Sequence, residues 1–192
     1  MLFFAPFVAR KMKRFECVAR IVICAVFAHA LLSTGAHAFE GDELRLAHQP
    51  VKIAAGHSSA FMLFLLNGDD LSIWLFSDLA GAPSLMHVKT IRGVDSVESV
   101  FFYRWQKSGD KTVHVLTKIK SDSPTLIGDL YSTLSLDILR KGAGIELLSE
   151  GAFAYELVNC FEGKDTELSK DVECRYKNAA AIKEFISRIL DR

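Results

Sequence analysis

The chain has 192 residues, half of them hydrophobic, with 23 Lys and Arg balanced by 23 Asp and Glu. A chain of that size supports one domain with a real core and needs no partner to bury its apolar surface. Charges of both signs, interspersed at a formal net of zero, leave no footprint for a phosphate backbone, so no nucleic acid partner is expected.

The first 38 residues differ in kind from the rest. Arg10, Lys11, Lys13, Arg14 and Arg20 precede an apolar run from Ile21 to Leu32, which is the order of a basic n-region and an h-region. The run is 12 residues long and holds His29, whereas a membrane-spanning helix takes roughly 20 mostly apolar residues. Ala36-His37-Ala38 then supplies the small-x-small pattern of signal cleavage and predicts a cut between Ala38 and Phe39. Leu2, Phe3, Phe4, Phe7 and Val8 stand ahead of the basic cluster, so a start at Met12 is an alternative; an uncleaved membrane helix is the competing reading of the segment. Cys24 lacks the small residues that precede a lipoprotein cysteine, and no lipid anchor is expected. The expected mature chain is a single globular domain, Phe39 to Arg192, with 18 basic and 22 acidic residues and a net charge of −4. It would be periplasmic, with no stable membrane anchor after cleavage.

In the mature part, Phe61 to Leu66 and Leu71 to Phe76 are apolar runs joined by Asn67-Gly68-Asp69-Asp70. Asn and Gly tolerate the positive φ of a tight turn, so the pair predicts a β-hairpin. Neither run alternates strictly, which predicts cover on both faces. Ser84 to Ile91, Val97 to Trp105, Thr112 to Ile119 and Leu130 to Ile138 are further expected strands, rich in β-branched or aromatic residues and bounded by turn formers. Along the third of these, Val113, Val115, Thr117 and Ile119 are expected to face inward, against an outward face of His114, Leu116, Lys118 and Lys120. Ser108-Gly109-Asp110-Lys111 is the expected turn before it, and Ser121 to Gly128, with Pro124, the loop after it. Gly142-Ala143-Gly144 marks a break, a strand is expected around Phe153 to Cys160, and Glu162 to Glu173 reads as a polar, solvated segment. From Asn178 the pattern changes: Ala181, Ile182, Phe185, Ile186, Ile189 and Leu190 recur at helical spacing, with Asn178 as the N-cap.

Cys17 and Cys24 leave with the leader, and Cys160 and Cys174 remain as an even pair, expected to form a disulfide in an oxidising compartment. The rival reading is a metal site, but two cysteines with no histidine beyond His114 supply too few zinc ligands; neither a metal nor a cofactor is expected. Gly56-His57-Ser58-Ser59-Ala60 nearly spells the nucleophile elbow, with Ala60 where the second glycine belongs. That elbow must lead into a helix, whereas the Asn67-Gly68 turn makes Phe61 to Leu66 a strand; no catalytic residue is assigned. Asp69 and Asp70 lack the spacing of a calcium loop and are expected to be turn residues. Two features could form a binding surface: Tyr103 and Trp105 in an aromatic strand, and Asp165 and Glu167 in the acidic run that the disulfide would rigidify. Core packing is the competing reading of the first and a solvated loop that of the second. Alternation puts Phe101, Tyr103 and Trp105 on one face and Phe102 on the other.

Val97-Glu98-Ser99-Val100-Phe101-Phe102, Lys111-Thr112-Val113-His114-Val115-Leu116 and Gly128-Asp129-Leu130-Tyr131-Ser132-Thr133 together resemble the paired strands of small exported bacterial proteins, some of them immunity proteins for toxins delivered between cells. The resemblance implies a protein partner and carries no functional residue. The expected fold is α+β, an antiparallel sheet of roughly five to seven strands in hairpins and a meander, with a C-terminal amphipathic helix packed on it. The expected function is binding of another protein as an immunity factor or inhibitor. A small serine hydrolase using Ser58, and an envelope assembly or accessory factor, are the alternatives.

Overall fold

The computed structural model describes residues 44–55, 58–79, 82–104, 112–142, 144–149, 157 and 159–190. The leader, Trp105 and the Ser108–Lys111 turn lie outside the described residues. The first four strands, β1 (Arg45–Ala55), β2 (Ser58–Asn67), β3 (Asp70–Leu79) and β4 (Ala82–Ile91), form an antiparallel sheet in sequence order. The expected hairpin is its centre: Asn67 pairs with Asp70, and Gly68 takes the turn at a φ of 61°. The second sheet holds β5 (Ser96–Tyr103), β6 (Thr112–Asp122), β7 (Leu126–Lys141), β8 (Gly144–Ser149), β9 (Cys160–Asp165) and β10 (Lys170–Val172). Its order is β10-β9-β7-β6-β5, again antiparallel. The edge of β7 that faces away from β6 is shared: β9 takes Leu126 to Tyr131 and β8 takes Leu136 to Lys141.

Alternation along each strand sorts the side chains into two cores. Met62, Phe64 and Leu66 of β2 and Leu71, Ile73 and Leu75 of β3 meet Val113 and Val115 of β6 and Leu136 and Ile138 of β7, so the sheets close as a sandwich over one apolar layer. The opposite face of the larger sheet carries Phe101, Leu116 and Tyr131, which pack with Leu157, Cys174 and the helix α1 (Ala179–Leu190) through Ile182 and Ile186. Asn178 caps that helix as expected, its Oδ1 accepting the Ala181 amide at 3.0 Å. Phe101 and Tyr103 lie on the helix side and Phe102 on the sandwich side, as the alternation predicts.

The fold class therefore stands as antiparallel sheet with a C-terminal helix, but the single sheet of five to seven strands is corrected to two sheets with ten strands among the described residues. The additional strands had weak signals for physical reasons. β1 carries Pro50 and has register shifts around His48, which break its alternation. β8 starts at Gly144, inside the segment that reads as a break. The Glu162–Glu173 segment, expected to be a loop, contains the β9–β10 hairpin, because its partner strand is β7 and not its own apolar pattern. The strand expected over Phe153 to Cys160 falls mostly outside the described residues; Leu157 is helical, and only Cys160 belongs to a strand. Likewise the outward face of β6 is not solvated at its first half, since α1 covers it and leaves Thr112, His114 and Leu116 buried.

Candidate functional site

The Cys160–Cys174 disulfide is formed, with a Cα separation of 5.2 Å. It closes the base of the β9–β10 hairpin, tying the start of β9 to the segment that leads into α1. The stem of the hairpin lies against β7 at a crossing of two glycines, Gly128 opposite Gly163. A Cβ built on Gly128 would stand 2.1 Å from the Glu162 carbonyl oxygen, and one on Gly163 would stand 2.3 Å from that of Ile127. Only hydrogen side chains allow this approach, so the two glycines fix how closely the hairpin is held.

Beyond the stem, the tip is closed by its own polar groups. Lys170 pairs with Asp165, and the Leu168 amide donates to Asp165 Oδ1 at 3.0 Å. Ser169 completes the turn at a φ of 49°, in the left-handed region. Thr166 anchors the tip to the loop before β7: its amide donates to the Thr125 carbonyl at 2.9 Å and its hydroxyl to the Pro124 carbonyl. That loop is in turn held by Ser121 and Ser123, both donating to the Leu126 carbonyl.

This closed tip presents Leu168, which is 72 % exposed, and leaves Ile127, 51 % exposed, on the neighbouring strand opposite Lys164. Glu167 is exposed beside Leu168, whereas Asp165 is half-buried and committed to the turn. Sequence reading singled out the two acids and missed the leucine that follows them. A lone Leu in an acidic run carries no periodic signal, and only the hairpin shows that its side chain stays in solvent.

The remaining candidates lie elsewhere. Tyr103 pairs with Thr112 at one end of β6, while the hairpin tip adjoins the other end at Asp122, about 33 Å along the strand. Tyr103 is half-buried, and its hydroxyl donates to Ser187 Oγ of the helix, which itself donates to the Lys183 carbonyl at 3.0 Å. In this arrangement it packs against the helix-side core. Ser58 opens strand β2 directly after β1, so the strand-to-helix context of a nucleophile elbow is missing. His87 sits level with Leu63, five residues along β2, and bonds Thr90 Oγ1 at 2.9 Å.

His114 is fully buried under α1, stacked on Phe101 with centroids 5.1 Å apart. A carbonyl only accepts, so Nε2 carries the proton donated to the Tyr103 carbonyl at 3.3 Å, and Nδ1 accepts from Ser135 Oγ at 2.7 Å. Burial lowers its pKa to about 4. It is a structural base held neutral, with no access for a substrate.

Around the hairpin stem, Glu162 pairs with Lys177 and holds that ammonium above its ordinary value, first by the hydrogen bond. Among the described residues no group of His, Cys, Asp and Glu side chains is placed to hold a metal ion, and no helix is long and apolar enough to cross a membrane. The chain matched no protein-family model, no curated protein and no solved structure.

Proposed function

We propose that this chain is an exported protein that binds another protein through the tip of the β9–β10 hairpin, in the manner of an immunity factor or inhibitor. The observation that carries the reading is a large apolar side chain, Leu168, held out into solvent by a turn that Asp165 closes and Thr166 anchors to the loop before β7. An ordered loop loses little conformational freedom on association, so the binding energy of Leu168 is not spent on folding the loop. Ile127 extends the apolar contact, and Glu167 and the charged residues of the stem supply a polar rim, the usual plan of an interface. The disulfide at the hairpin base favours an oxidising compartment, and with the basic-then-apolar leader it supports a periplasmic location. The C-terminal helix, amphipathic by its spacing, belongs to the scaffold that supports the larger sheet.

A photoreactive amino acid at position 168, in the protein expressed by its own organism, should give a discrete adduct with a partner. The same group at Leu148, exposed on β8 beside the other end of β7, should give none. Leu168→Asp should weaken binding of that purified partner at least about tenfold. Equal adducts at both positions, or none at 168, would refute the hairpin as the contact. Sequencing of the amino end of the recovered chain should read from Phe39; a retained leader would refute the export assignment.

A further inference from the structure

The helix α1 is held by side chains alone. It pairs with no strand, and the core between the two sheets contains none of its residues. Ile182 and Ile186 are its fully buried side chains. A helix of 12 residues is marginal in water by itself, so α1 persists while it is docked. The strand beneath it is held far more firmly, since β6 pairs with β5 on one side and β7 on the other from Thr112 to Lys118.

The docked face centres on His114. From β5 come the Phe101 ring on which the imidazole stacks and the Tyr103 carbonyl that Nε2 reaches. From β7 come the Ser135 hydroxyl that donates to Nδ1 and the Asp137 carboxylate, whose Oδ1 accepts from the Thr112 hydroxyl at 2.8 Å. From α1, Lys183 brings its ammonium to 5.4 Å from the centre of the same Phe101 ring. The other charges of the helix, Glu184 and Arg188, pair with each other on its exposed side. A proton added to His114 makes Nδ1 a donor where it now accepts, and sets a second cation against the ring that Lys183 already contacts. Asp137 opposes the repulsion from β7, and Lys183 adds to it. Moving α1 away relieves both strains at once, because it takes Lys183 with it and admits water to the imidazole.

We propose that α1 is an acid-sensitive cover, which protonation of His114 loosens from the larger sheet as a unit while the sandwich and the hairpin stay folded. The cover stays tethered when it opens. The disulfide fixes the chain at Cys174, just before Asn178, and Lys177 pairs with Glu162 of β9. Its release uncovers Phe101, Leu116 and Tyr131. The bonds that close the hairpin tip come from Asp165 and from the loop before β7, so the device neither rests on the proposed contact at Leu168 nor disturbs it.

Amide hydrogen exchange of the protein purified from cells expressing the full chain tests this, read by mass spectrometry at pH 7 and pH 5 and corrected for the intrinsic rate. At pH 7 the amides of α1 from Ile182 onward should already be less protected than those of Met62 to Leu66, as for a cover that opens without the sandwich. At pH 5 their protection should be about twentyfold lower, because a group that titrates near 4 in place and near 6.5 once released favours the open form by that factor. His114→Gln should abolish the fall. Lys183→Gln, at a half-buried position, should make the fall smaller by removing the repulsion across Phe101, and it tests the same linkage should His114→Gln not fold. Amides of α1 as protected as those of β2 would overturn the proposal, since α1 would then open with the whole molecule. A fall of less than about threefold at pH 5 would overturn it as well, as would an equal fall in His114→Gln or an undiminished one in Lys183→Gln.

Discussion

Acidification from pH 6.5 to pH 4 should cost the fold about 3 kcal/mol through His114 alone. The side chain titrates near 6.5 when the chain is unfolded and near 4 in place, because burial beneath α1 disfavours its charged form. The Tyr103 carbonyl and the Asp137 carboxylate oppose that shift, and Lys183 of α1 adds to it. Between the two values the unfolded chain binds the extra proton and the folded chain does not, so stability rises with pH across the window. The gap corresponds to about 3 kcal/mol, fully present above pH 6.5 and gone below pH 4. Urea unfolding at steps through this range measures it. His114→Gln should flatten the profile by about the same amount, and imidazole resonances should show one histidine titrating near pH 4 in the folded protein. A pH-independent midpoint in the wild type would refute this account of the helix interface.

The second large effect is expected at the glycine crossing. Gly163→Ala puts a methyl group where the Ile127 carbonyl oxygen stands 2.3 Å away, and Gly128→Ala meets the Glu162 carbonyl at 2.1 Å. The atoms in the way are backbone, so β9 must move off β7 and not merely turn a rotamer. Each substitution should cost about 2 to 3 kcal/mol. Gly93→Ala is the control. Gly93 has a φ of 72° but nothing within 4 Å of an added Cβ, so it should show only the backbone penalty of about 1 kcal/mol. Thermal unfolding ranks the three. If the crossing sets the position of the hairpin, Gly163→Ala should also reduce the adduct at position 168, while the titration of His114 on the far part of the sheet stays in place.

The parts of the fold legible in the sequence were those whose partners are close along the chain. Asn67-Gly68 between two apolar runs marks a hairpin by local chemistry alone, and Asn178 before Ile182 and Ile186 marks a capped helix in the same way. Cys160 and Cys174 pair, as their even count predicts. Less legible were elements whose cause is distant. β9 is a strand because β7 lies beside it, and its own residues, Glu162-Gly163-Lys164-Asp165, have the composition of a loop. His114 alternates with valines and so reads as an outward residue; only the helix, more than sixty residues later, makes that face interior. For the proposed hairpin contact the sequence pointed to the same segment through Asp165 and Glu167 and passed over Leu168 within it. Charge is visible in a sequence, whereas the exposure of Leu168 depends on a turn held shut by its own Asp165 and by the distant Pro124-Thr125 pair.

Because α1 is the cover of the larger sheet's second face, that face cannot close until a ribosome has passed Ile186. Phe101, Leu116 and Tyr131 are synthesised long before Ile182 and Ile186, and until those arrive the nascent protein carries an open greasy plane. Any product ending before Ala179 keeps that plane for its whole life. Such a product is therefore a sticky sheet fit for chaperones and proteases, and not a slightly shortened working protein.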